Sequence, residues 1–433
     1  EDTSFNNNNN IDEEEVRNEA TTYDTIGYAV SITGYKKDKS GVLLDQAAVL
    51  MYSIHMNSIR YLPKGETKYD YKMYAFVHPE VVEDKDSFSL LEGLKIMGYD
   101  VQIKDSPVLK EDIKGNLKEF VSTASCCGEK EFLKLYSYTL LQHKVVVHLD
   151  LDCMVLQPLD ELYDAIILNT NTDDLDVTWE NEKNNSIINA FFTRDYNLVD
   201  PPRRKPHEIG LQGGFMVVRP DMEVFQTYKD LILEGEYTVN EGWGGPTLRY
   251  GGYYGAAQIQ GLCSFFYGHV RPNTSIELDR CLYNFMGDAP RHKGKCRTQE
   301  DECKNCQTDV TFEQVKTIHF TLCHKPWWCF ASEEYQRNKG DRYTLGHTIS
   351  NINDTDIHAL TKLCLGAHAQ WFRSRYLFET DFLSLHDKNN ETETHFPTTY
   401  GYCTDKRGKH TKYRPLQLTS NSTEKIIKIK SSA

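Results

Sequence analysis

The chain has 433 residues, enough for one large core or two domains, and a formal charge of −14 from 63 acidic against 49 basic residues. That balance disfavours nucleic acid or an anionic membrane as a main partner. No apolar run approaches the roughly 18 residues that span a bilayer, but the first residue is Glu rather than Met, so a removed upstream signal or membrane anchor is expected.

Taken in order, residues 1–22 carry an Asn6–Asn10 tract and an acidic run with almost no large apolar residue. They cannot bury enough surface to fold alone and read as a disordered stem. Ile26–Thr33 is a strand candidate, Val42–Met56 a helix, Tyr74–Val77 a short strand, Phe88–Met97 a helix and Val101–Ile103 a third strand. Phe132, Tyr136 and Leu140 recur at helical spacing, so Glu129–Gln142 reads as an amphipathic helix. Val145, Val146 and Val147 then form a β-branched run without a polar face, which predicts a strand covered on both sides. Strands alternating with helices predict an α/β fold with a mainly parallel, doubly wound sheet.

Asp150 and Asp152 alternate with Leu149 and Leu151 at the carboxyl end of that strand, where open α/β sheets bind ligands. Two carboxylates this close repel, and a divalent cation removes the cost. By itself the pair reads equally well as two solvated carboxylates. A polar stretch follows to about Ser186, then Phe191–Asp195, then Gln212-Gly213-Gly214-Phe215, whose glycines either admit a close ligand or form a strand bulge. Gly242–Gly255 interleaves Trp243, Tyr250, Tyr253 and Tyr254 with Gly and Pro, which suits either a sugar-stacking loop or a plain surface loop. Leu360–Phe382 has helical apolar spacing, and Lys406–Lys430 is a basic tail.

Twelve cysteines and five Asn-x-Ser/Thr sites, at Asn184, Asn273, Asn353, Asn390 and Asn421, point jointly to the secretory pathway. Cys126 and Cys127 are too close to bridge each other without strain. Cys303-x-x-Cys306 with Cys296 or His292 has zinc-like spacing, but disulfides suit an oxidising compartment better.

The segment from Lys134 through Asp150-Leu151-Asp152 to Pro158-Leu159-Asp160-Glu161-Leu162-Tyr163-Asp164 resembles the donor site of glycosyltransferase family 8, the glycogenin-like retaining transferases. A second match is Ile318–Trp327, in which His319 is followed six residues later by Lys325-Pro326-Trp327. The resemblance spans about residues 26–330. It implies a GT-A-type nucleotide-sugar transferase fold over 23–330; beyond it the resemblance stops, and the helical spacing of Leu360–Phe382 predicts a C-terminal extension, 331–433, packed on that domain and ending in the basic tail. The resemblance further implies Mn²⁺, with Mg²⁺ as the alternative ion, held by Asp150, Asp152 and His319, and a UDP-sugar donor contacted by Thr33, Lys134, Gln212, Gly213, Gly214 and Lys325. Gln260, Asp195 and Lys325 take the catalytic positions. Tyr35 is a candidate for stacking on the base. Three departures stand out: Gln212 replaces an Asn, Ile259 an acid, and Leu322 a Gly.

The expected activity is retaining transfer of a hexose from a UDP-sugar to a glycan or glycoprotein acceptor in the secretory pathway, most naturally in the Golgi lumen. The rival reading is a catalytically impaired lumenal sugar-binding or scaffold protein. A metal-dependent phosphohydrolase would want more carboxylates near the Asp pair.

Overall fold

Continuous apolar segments in the first half of the chain become the central strands of one sheet. The computed structural model describes residues 24–35, 40–63, 65–84, 88–122, 127–169, 187–195, 209–287, 306, 310–321, 323–329, 354–385, 399–404 and 412–418. The stem, the polar stretch after residue 169, Leu322, Cys126, Cys296, Cys303, most of the basic tail and every Asn-x-Ser/Thr asparagine except Asn273 lie outside these residues.

Strands β1 (Asp24–Ile32), β2 (Tyr69–Val77), β3 (Tyr99–Ile103) and β4 (Val146–Leu149) pair in parallel in the order β3-β2-β1-β4. β5 (Cys153–Val155) follows immediately but leaves this sheet. The sheet continues through β7 (Leu211–Val218), β6 (Ala190–Arg194) and β10 (Ser275–Glu277). β7 runs antiparallel to both neighbours, while β6 and β10 pair in parallel. Six of the seven strands therefore point the same way, and β7 is the exception to the parallel pattern.

Both faces of the sheet are covered, as the Val run requires. Val145, Val147 and Leu149 join one apolar cluster and Val146 the other. Helix α1 (Ser40–Met56) lies on the first face, its buried Ala47 and Ala48 allowing close approach, and α2 (Phe88–Ile96) packs beside it. Helix α3 (Asp160–Leu168) adds Leu162, Tyr163 and Ile166 to the same core. On the second face stand α4 (Met222–Glu234) and α5 (Ile259–Phe265). Asp221 caps α4 by accepting from the amides of Glu223 (2.7 Å) and Val224 (3.3 Å).

Two local expectations change. The segment expected as an amphipathic α-helix over Glu129–Gln142 is a 3₁₀ helix at Gly128–Thr139. Phe132, Leu135 and Tyr138, fully buried, recur every three residues, the period of the tighter helix. The aromatic loop gives up most of its sugar-stacking character, because Trp243, Tyr250 and Tyr253 are buried. Two-residue strands β8 (Tyr237–Thr238) and β9 (Gly242–Trp243) pair there, and the Trp243 indole donates to the Ala256 carbonyl at 2.9 Å.

The extension is built on α6 (Asp354–Asp381), with a terminal hairpin of β12 (Cys403–Thr404) and β13 (Lys412–Tyr413). It docks on α1 through the Arg375–Asp45 ion pair, both side chains almost wholly buried, and Glu379 pairs with Arg375 at 2.8 Å. Disulfides join Cys281 to Cys306, Cys323 to Cys364 and Cys329 to Cys403. Cys306 is thus committed to a disulfide rather than to the zinc alternative. No helix among the described residues is long and apolar enough to cross a membrane.

Candidate active site

At the carboxyl end of β4 the backbone turns sharply. The Asp150 amide donates to the Gly214 carbonyl on β7 at 3.0 Å, and the chain then enters β5. β5 pairs antiparallel with β11 (Thr317–His319), which sets His319 opposite Cys153. The two halves of the sequence that carry the strongest motifs are thereby brought together. His319 Nε2 lies 3.2 Å from Asp152 Oδ1 and 3.9 Å from Asp150 Oδ2.

These side chains line a cavity of 410 Å³. Of the eleven residues expected at the site, the cavity wall includes Lys134, Asp150, Asp152, Asp195, Gln212, Gly213, Gly214, Gln260, His319 and Lys325. Thr33, at the end of β1, is not part of this wall, and Tyr35 packs against the apolar core.

Charge within the cavity is tightly paired. Lys134 is buried, reaching Asp150 at 2.8 Å and Glu131 at 3.2 Å, and it donates to the Gly213 carbonyl at 3.0 Å. Burial opposes its charge, but Asp150 and Glu131 outweigh that and hold its pKa above the ordinary lysine value. Lys325 forms an ion pair with Asp152. Burial would raise the Asp152 pKa, yet His319 and Lys325 hold it well below the usual carboxylate range.

Backbone shape matters as much as charge. A Cβ at Gly214 would stand 2.5 Å from His319 Cε1 and 2.7 Å from Asp150 Oδ2, so only glycine leaves this cradle open. A Cβ at Gly213 would meet Ile259 Cγ2 at 2.6 Å. Gln212 does not point freely into the cavity, because its Oε1 accepts from the Gly214 amide.

Ile259 begins α5 and is buried against the second core, so the position expected to carry an acid belongs to the packing. Gln260 is held by a 3.3 Å bond from Nε2 to the Tyr254 carbonyl, while its buried Oε1 has no hydrogen-bond partner among the described residues. Gln258 lines the same wall, and its buried Oε1 also lacks one among the described residues.

Sequence reasoning missed Glu131, Gln258 and Thr321 as cavity residues, while Tyr254 and Gly255 belong to the loop that it offered for sugar stacking. Glu131 left a trace, since it precedes Lys134 by one helical turn. Tyr254 is the one aromatic residue of its loop that is exposed, at 52%.

The donor set fits a divalent ion. Asp152, Cys153 and His319 can bring ligand atoms within 4.8 Å of one another, and Asp150 adjoins them. The carboxylates suit Mn²⁺ or Mg²⁺, and the imidazole favours Mn²⁺ as the softer of the two. Burial pushes the Cys153 thiol far up, and its Sγ donates to the Gly214 carbonyl at 3.4 Å, which leaves Asp150 the better third ligand. His319 Nδ1 is buried without a hydrogen-bond partner among the described residues, so none of these fixes the ring from behind as is usual at metal-bound histidines.

No family model matches the chain, and no curated protein matches it. Among solved structures, mouse xyloside xylosyltransferase 1 is similar at 15% identity and a TM-score of 0.39, over 70% of this chain and 99% of that one. The galactosyltransferase LgtC, in complex with donor and acceptor sugar analogues, is similar at 12% identity and a TM-score of 0.36, over 77% and 99%. The glycosyltransferase GlyE of Streptococcus pneumoniae TIGR4 is similar at 12% identity and a TM-score of 0.34, over 80% and 64%.

Proposed function

We propose that the chain is a metal-dependent retaining glycosyltransferase that moves a hexose from a UDP-sugar to a glycan or glycoprotein acceptor in the secretory pathway. The observation that carries this reading is the convergence of Asp150, Asp152, His319, Lys134 and Lys325 on one 410 Å³ cavity at the carboxyl end of the parallel strands. An ion held by Asp150, Asp152 and His319 would neutralise charge on the donor's diphosphate.

The chain's own groups supply the rest. Lys325 is placed to turn its ammonium from Asp152 to the departing diphosphate, where charge accumulates as the sugar leaves. Asp195, a buried carboxylate on the wall, would accept from sugar hydroxyls, and Gln260, on the same wall, would lie near the anomeric carbon. No carboxylate occupies position 259. A front-face attack, in which the acceptor enters beside the leaving phosphate, therefore fits better than a covalent sugar–enzyme intermediate, with Asp195 the one candidate nucleophile. The disulfides support a lumenal site.

The burial of Ile259 favours a second reading, a lumenal sugar-binding or scaffold protein on the same fold. A panel of UDP-sugars, assayed for transfer and for donor hydrolysis with Mn²⁺, with Mg²⁺ and with EDTA, separates the readings. UDP released with one sugar, lost with EDTA and restored by Mn²⁺, is expected. UDP binding without turnover of any donor would support the sugar-binding reading, and release of UMP and sugar 1-phosphate instead of UDP would support a phosphohydrolase.

A further inference from the structure

The short stretch that carries Lys325 is fastened on both sides of that residue to the C-terminal extension. Cys323 is bonded to Cys364 on α6, and Cys329 to Cys403 on β12. Between these two covalent ties, the His324 carbonyl meets His368 Nε2 at 2.6 Å, and the Trp327 ring lies 5.7 Å from that of Trp371. Trp371 in turn packs against Phe372 and Tyr413. The extension is itself anchored on α1, through Arg375 to Asp45 and through the Leu416 amide to Asp45 Oδ1 at 3.1 Å. A continuous path of contacts thus runs from α1 through the extension to Lys325 and Asp152.

We propose that the C-terminal extension is the positioning element of Lys325, with the Cys323–Cys364 and Cys329–Cys403 disulfides acting as a clamp that holds its ammonium over the diphosphate-binding side of the cavity. The phosphate role of Lys325 is the one given under the proposed function, and the clamp rests on it. A lysine on an unrestrained loop loses conformational freedom each time it engages a ligand, whereas here the loop is ordered once, on folding. None of the four cysteines lines the cavity, so the clamp acts through the wall residues of the clamped stretch, of which Lys325 is the one that lies between the two disulfides.

The test uses the full-length oxidised protein, with both partners of one disulfide replaced: Cys323→Ser with Cys364→Ser, and separately Cys329→Ser with Cys403→Ser. Two readouts are taken. The first is UDP affinity by calorimetry with Mn²⁺, expected to weaken about 10-fold in either variant. The same replacements in a Lys325→Ala background are expected to weaken it no further, because an effect routed through one side chain vanishes with that side chain. The second readout needs no nucleotide: the rate at which Lys325 is acetylated, followed by mass spectrometry, is expected to rise when the clamp is opened.

If a variant does not fold, the folded native protein is treated briefly with a phosphine. This converts each disulfide to two thiols, the phosphine becoming its oxide with water supplying the oxygen and protons, and circular dichroism verifies that the fold persists. Unchanged acetylation of Lys325 on opening the clamp would overturn the proposal, as would equal weakening of UDP binding with and without Lys325. Faster acetylation in a protein that binds no UDP would uphold the clamp and sink the transferase reading instead.

Discussion

Asp152 is the residue on which the cavity's opposing charges meet, with His319 on one side and the Lys325 ammonium on the other. Asp152→Asn keeps the volume and removes the charge, so transfer is expected to fall by at least about 10²–10³-fold, with thermal unfolding little changed. Full activity in a steady-state assay would sink the metal assignment. Gly214→Ala makes a complementary demand, because its methyl would intrude between His319 and Asp150. Overpacking of this kind costs about 1–3 kcal/mol, and Mn²⁺-dependent UDP binding is expected to weaken more than the melting temperature alone accounts for. The Asp pair, His319 and both lysines were legible in the sequence as motifs of fixed spacing. The redirection of Gln212 to a backbone amide was not, because the geometry of β7 decides it.

Strands β1 and β3 and helices α1 and α2 were read to within two residues at each end, whereas β2, expected at Tyr74–Val77, begins at Tyr69. The 3₁₀ segment escaped because its apolar residues satisfy both a spacing of four, through Phe132, Tyr136 and Leu140, and a spacing of three, through Phe132, Leu135 and Tyr138. Only packing against β4 and α4 chooses between them. Helix α6 was legible as a helix, but its bond to the Lys325 segment was not, since disulfide pairing is not encoded in spacing. His368 on this helix supplies a test at the same scale. Burial lowers its pKa from 6.5 to about 4, against the opposing bond to the His324 carbonyl. The unfolded chain therefore binds a proton that the folded one refuses, and this contribution to stability, complete above pH 6.5, is lost as pH falls toward 4. His368→Gln retains a donor but does not titrate. The wild-type advantage over it is expected to shrink by on the order of 1.4 kcal/mol per pH unit across that window, measured by denaturant unfolding, and a constant difference would refute the assignment.

For the whole molecule, the sequence showed an α/β domain followed by a helical extension but gave no sign of how the two are joined. The joint is a buried ion pair between residues far apart in the chain, Asp45 on α1 and Arg375 on α6. Neither residue stands out in its own helix. Removing one partner strands the other charge away from water, so Arg375→Ala is expected to cost about 3–5 kcal/mol, measured by urea unfolding. Replacing both residues with apolar ones of similar volume is expected to cost less. A cost below about 1 kcal/mol for Arg375→Ala would mean that the extension is held chiefly by its disulfides. The antiparallel β7 was equally hidden, since strand direction leaves no mark on composition. It nevertheless delivers Gly213 and Gly214 to the site.

The two-stranded ribbon of β5 and β11 also works as a ruler. His319 faces Cys153 in register, and the Phe320 amide donates to the Asp152 carbonyl at 2.9 Å, so the spacing between imidazole and carboxylate is set by residue count along two short strands. One residue inserted in either strand would turn the following side chains to the opposite face, and two would slide them by about 7 Å. An insertion or deletion within Cys153–Val155 or Thr317–His319 would therefore separate His319 from Asp152 even with every cavity residue intact.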